Sequence, residues 1–183
     1  MARVHSIKKS GQHLDISYVI HKKSVLDRSI TLMYSTKNPD YYADFVGLSE
    51  HEIESEKEVL IKENDTTHSL LLLTAIEALI RLDADKKYCT KKKDDLSKRI
   101  KEIYDRTKGE KIKLDEDLIN ARLNEDSPET RKFYNNLKKC FKYRHWLAHG
   151  RYWDSTKVSI VNFDSILIIT QSILALTNYD FET

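Results

Sequence analysis

A chain of 183 residues, one third of them charged, with only four glycines and two prolines, is long enough for one well-cored domain and reads as mainly helical. Its net charge of +2 gives it no strong global pull on nucleic acid, and its two cysteines, Cys89 and Cys140, are too few for a disulfide framework. No apolar run is longer than the four residues of Leu70–Leu73, too short to cross a bilayer, and the basic, polar N-terminus lacks an apolar signal-peptide core. These features exclude a membrane span and lead to the expectation of a soluble, cytoplasmic protein.

In chain order, Leu14, Ile16, Tyr18 and Ile20 alternate with polar residues, a pattern that favours a short strand near 14–20 while also allowing a helix start. Val25, Leu26, Ile30 and Met33 allow a helix over about 24–34, which Ser35 to Pro39 breaks. Tyr41–Val46 is an aromatic connector. Ser49 and Glu52 have capping-box spacing and open a charged helix to about residue 63, and Asn64 to Thr67 predicts a break with a new N-cap. The segment 67–85 is apolar almost all round and is expected to be the central helix, with a polar strip of Thr74, Glu77 and Arg81 lying within about 60°.

A Lys-rich stretch predicts a helix over 92–108 ending near Gly109, then a short helix over 115–123 capped by Asp115. Ser127-Pro128-Glu129 starts a longer helix that Gly150 is expected to end. Val158–Phe163 alternates like a strand, and Asp164 is the expected cap of a last apolar helix over about 165–177. No repeat or linker requires a second domain, so residues 1–183 are read as one.

Chemistry concentrates in Tyr143–Trp153. Phe133, Leu137, Cys140, Phe141, Leu147 and Ala148 define an apolar face on the preceding helix, and Arg144 falls in the middle of it. His145 and His149 lie about 100° and about 140° round from Arg144. An arginine there cannot shed its charge, so it needs a partner or a wet cleft. Residues 131–151 hold seven Lys/Arg and no acid, whereas 50–65 is acid-rich; such runs are most often solvated faces.

Arg144, four intervening residues and then His149, with the polar His145 directly after the arginine, at the end of a late helix, resemble the signature of the HEPN superfamily. The likeness covers roughly residues 49–177. It implies a HEPN-like helical bundle of four to six helices and metal-independent cleavage of RNA without a cofactor, in a site assembled across a homodimer. It also implies a toxin or defence setting, with an antitoxin or other defence protein as a further partner. His149 then serves as general acid or base, Arg144 clamps the phosphate, and His145 orients the phosphate or supplies the complementary acid. Glu77 supports Arg144 from behind. Arg151, Tyr152 and Trp153 are candidates to hold flanking phosphate and stack a base. In HEPN toxins paired with a nucleotidyltransferase antitoxin, a tyrosine two positions after the motif histidine is the modified residue. Here that position is Arg151 and the tyrosine follows it, which puts such regulation in doubt.

Plainer readings stand beside these. Arg144 can pair with Glu77 inside one core, Glu77 can pair with Arg81 four residues on, and His149 can simply favour its helix C-terminus. Tyr152 and Trp153 can close the core as lid residues. His145 and His149 have the spacing of two metal ligands, but no third ligand is evident, so no metal site is expected. A HEPN-like module that binds RNA or protein without turnover is the alternative function.

Overall fold

The computed structural model describes residues 14–90, 92–107, 111–125, 127–149 and 161–176, and these are helical with short connections. The helices are α1 (Ile16–Met33), α2 (Tyr41–Asp44), α3 (Glu50–Cys89), α4 (Asp95–Thr107), α5 (Asn120–Glu125), α6 (Pro128–Ala148) and α7 (Phe163–Leu176); a π-helical turn, Leu114–Ile119, leads directly into α5. The mainly α class agrees with the sequence expectation, and no strand occurs among the described residues.

The expected strand near 14–20 is instead the start of α1. Asp15 caps it by accepting a hydrogen bond from the Ser17 N–H at 2.6 Å. Val19 is buried while Ile16 and Ile20 are half-buried against the core, the three- and four-residue spacing of a helix face. Of the second expected strand, residues 158–160 lie outside the described residues, and Phe163 opens α7. The cap of α7 is Asn162, whose side-chain oxygen accepts from the Ser165 N–H at 3.0 Å. Asp164 lies within the helix.

The largest departure is α3. The expected break at 64–67 does not occur, and the helix runs unbroken for 40 residues, about 60 Å at 1.5 Å per residue. The residues that resemble a cap act on other helices. Asn64 donates to Asp27 Oδ1 of α1 at 2.8 Å, and Asp65 accepts from the Phe163 N–H at the start of α7 at 3.2 Å. Thr66 bonds back to the Lys62 carbonyl at 2.9 Å. Tertiary partners have taken the side chains that would otherwise compete with the helical backbone. The N-terminus of α3 carries the expected capping box between Ser49 and Glu52.

α1, α4, α6 and α7 all pack on α3. Leu72, Leu73, Ile76 and Ile80 of α3 form the main core with Ile100 and Ile103 of α4, Leu118 and Ile119 of the π turn, Tyr134, Leu137 and Phe141 of α6, and Ile166 and Ile173 of α7. A smaller apolar cluster of Tyr34, Phe45 and Ile53 ties α2 to the other end of α3. The aromatic connector therefore closes that cluster, while Tyr42 and Val46 remain exposed. Residues 115–123 are not one capped helix: the π turn starts at Leu114, with Asp115 inside it and the Asp117 carboxylate accepting from the Lys113 N–H at 2.8 Å. No described helix is long and apolar enough to cross a membrane.

Candidate active site

α6 is positioned by both its ends and its buried face. Ser127 caps the N-terminus by accepting from the Thr130 N–H, and Pro128 fits the first turn, where no N–H is needed. Tyr134, Leu137, Cys140 and Phe141 press into the core. The helix ends at Ala148, and His149 is its C-cap residue, with its N–H donating to the His145 carbonyl at 3.1 Å. Gly150, the expected terminator, lies outside the described residues, as do Arg151, Tyr152 and Trp153.

Arg144 sits on the face turned towards α3, and its side chain is 34% exposed. Its Nη2 lies 3.2 Å from Glu77 Oε2. On the other side of the same carboxylate, Oε1 accepts from Arg81 Nε at 2.9 Å, and Arg81 Nη1 donates to the Ile112 carbonyl at 3.1 Å. Glu77 therefore bridges two guanidinium groups, one on its own helix and one on α6. Both sequence pairings for Glu77 occur together.

The contact with Arg144 is an ion pair without an aligned hydrogen bond. Glu77 Oε2 and Arg144 Nε are buried atoms with no hydrogen-bond partner among the described residues. A buried guanidinium donor with unused capacity favours an anion that can approach it. The arrangement thus fixes the charge of Arg144 beside a carboxylate and keeps one of its five donors uncommitted.

His145 and His149 are exposed on the outer side of α6. Their ring centroids are 4.2 Å apart, with the planes tilted by 60°. Two imidazoles at that separation can accept a proton at one ring and donate one at the other on a single small ligand. Tyr143 and Trp146 stack at 5.9 Å between centroids beside them. The structure thus brings together Arg144 with Glu77, and His145 with His149. It sets the two pairs about 100–140° apart round the helix.

Cys140 is buried, and burial pushes its thiol up to about 11, which removes it as a nucleophile; Cys89 is exposed. Among the described residues no group of three or more His, Cys, Asp or Glu side chains could hold a metal ion.

Two polar features escape the sequence reading. Polar residues on α3 are not confined to the strip of Thr74, Glu77 and Arg81, because Asp83, about 120–180° round the helix from that strip, is fully buried further along. Asp83 accepts from Lys87 Nζ at 2.9 Å and pairs with Arg122, whose other nitrogen donates to the Tyr134 hydroxyl at 3.2 Å. The i,i+4 spacing of Asp83 and Lys87 was the available signal. The second is Asp115. Burial raises its pKa, with nearby Lys138 and Lys142 pulling it down and Glu116 and Glu77 pushing it up. Asp115 is therefore within electrostatic reach of both Glu77 and the α6 lysines. Nothing in its sequence context pointed there.

Comparison of the chain with protein-family models, with curated proteins and with solved structures finds no match.

Proposed function

We propose that this chain is a metal-independent endoribonuclease of the HEPN type, acting in a toxin or defence system. The observation that carries the reading is the pairing, at one end of α6, of an arginine braced by a carboxylate with two imidazoles 4.2 Å apart. Cleavage through the RNA 2′-hydroxyl needs a group to take that proton, a group to protonate the leaving 5′-oxygen, and a fixed cation for charge accumulating on the phosphorus oxygens. His149 and His145 divide the proton transfers, and Arg144 holds the phosphate. The 2′-oxygen forms its bond to phosphorus as the 5′-oxygen bond breaks. The products are a 2′,3′-cyclic phosphate and a 5′-hydroxyl.

Because Arg144 and the imidazoles face different sides of α6, a homodimer that sets the arginine of one copy beside the histidines of the other gives a complete site. Arg151, Tyr152 and Trp153, close behind His149 in sequence, are the sequence's candidates to hold a flanking phosphate and stack a base. Expression tests the reading: the wild-type chain arrests its host, and Arg144→Ala or His149→Ala relieves the arrest. Growth unaffected by the wild type counts against a free ribonuclease.

One observation favours a second reading. Arg144 already has a partner in Glu77 within one chain, as a structural ion pair would require. On that reading the chain is a HEPN-like module that binds RNA or protein without turnover, and a folded Arg144→Ala variant keeps all binding.

A further inference from the structure

The outward side of α6 carries more than the histidine pair. Arg131, Lys138, Lys142, His145 and His149 follow one another at spacings of seven, four, three and four residues, which places all five within about 40° of His149 on the helical wheel. Arg131, Lys142, His145 and His149 are exposed and Lys138 is half-buried. From Arg131 to His149 the row spans about 27 Å at 1.5 Å per residue. No acid interrupts it on α6.

We propose that this row is a track that carries the backbone of single-stranded RNA along α6 into the His145–His149 pair; the direction of travel into a cleavage site rests on the nuclease reading above. The net charge of the chain is +2, so a general attraction to RNA is weak and any useful field must be local. The row provides it. It also answers a difficulty at the histidines, since the C-terminal end of a helix carries a partial negative charge that repels phosphate. Cations upstream on the same face compensate for that repulsion.

The acids bordering the row on the π turn are muted. Glu116 is paired with Lys113 at 2.7 Å and Asp117 with Arg106 at 2.7 Å. Asp115 is the remaining carboxyl, beside Lys138 and Lys142, and its burial disfavours its charged form. Lys138 is held in place by donating to Asn120 Oδ1 at 3.0 Å. A charged row that only solvates a helix needs neither this alignment with an imidazole pair nor neutralised neighbours.

The test is binding of a fluorescently labelled single-stranded RNA, measured against salt by anisotropy, with cleavage followed on the same substrate. Arg131→Gln/Lys142→Gln keeps the Lys138 contact and gives up only the long 3.5 Å contact from Arg131 to the Asn124 carbonyl, and circular dichroism checks its helicity. We expect its affinity to fall at least tenfold and the slope of log K against log salt to shrink by about 1.4, since each neutralised phosphate contact contributes about 0.7 on a single strand. Lys98→Gln/Lys101→Gln on α4 is the control and leaves both quantities unchanged. Equal losses in the two variants, or none in the first, overturn the track. So does a loss that appears equally for anionic lipid vesicles, which assigns the row to generic polyanion attraction. RNA bound through the row but never cut leaves the track standing and removes the nuclease reading. His149-dependent cleavage with full affinity in Arg131→Gln/Lys142→Gln does the reverse.

Discussion

Glu77 Oε2 on α3 lies 3.2 Å from Arg144 Nη2 on α6, while Oε1 of the same carboxylate binds Arg81. One acid therefore holds two arginines, and only one of them is on its own helix. Glu77→Gln keeps the shape but removes the charge that orients Arg144. Both arginines are about one third exposed although Glu77 is more buried, so solvent weakens each pair and the stability cost is small, about 1 kcal/mol. On the nuclease reading, cleavage falls by at least tenfold while thermal stability barely moves. Loss of stability without loss of cleavage assigns Glu77 to structure alone.

Asp83 presents the opposite balance. It is fully buried between Lys87 and Arg122. Asp83→Ala leaves two buried cations without their shared counter-charge, and the expected destabilisation is about 3–5 kcal/mol. Urea unfolding measures it directly. A change within about 1 kcal/mol shows that the two cations find other partners at little cost.

The continuity of α3 through Thr67 is testable by proline. Thr67 is an exposed mid-helix residue, so Thr67→Pro removes a helical hydrogen bond and clashes with the preceding turn, costing about 3 kcal/mol or more. Thr67→Ala stays within about 0.5 kcal/mol of wild type. Tolerance of the proline points to a helix break in solution at the place where the sequence suggested one.

Asp115 gives a pH-dependent prediction. Burial raises its pKa above the ordinary 3.8 in the folded chain. A carboxyl that binds its proton more tightly when folded favours the fold at pH below 3.8, and that margin is lost as pH rises through the folded value. Asp115→Asn removes the loss, so the variant melts above wild type at pH 7, and the gap closes as pH falls below 3.8. A lower melting temperature at pH 7 means that Lys138 and Lys142 outweigh burial at this site.

The parts of the molecule that the sequence revealed are those governed by local rules. Ser49–Glu52 and Ser127–Pro128 start their helices because cap and first-turn chemistry is decided within four residues. Arg144 was legible as an anomaly, and its partner Glu77 was legible because both lie on faces fixed by the helical repeat. What failed was decided at a distance. Asn64 and Asp65 have the chemistry of a cap, but α1 and the start of α7 use it instead. Leu14 to Ile20 alternate, yet Asp15 starts a helix whose Val19 the core accepts. Asp115 owes its raised pKa to burial by the folded chain, against the opposing pull of lysines more than twenty residues away on α6. Arg122 meets Asp83 from thirty-nine residues along the chain.

The central claim is that Arg144 and His149 cut RNA without a metal. Incubation of a mixed RNA substrate in EDTA, with the ends of the products identified, tests it most directly. Wild type, Arg144→Ala and His149→Ala are compared, each checked for native helicity by circular dichroism. The account predicts cleavage by the wild type to 2′,3′-cyclic phosphate and 5′-hydroxyl ends, and at least a hundredfold loss in both folded variants. A folded wild type that leaves RNA intact, or three proteins that cut alike, contradicts it.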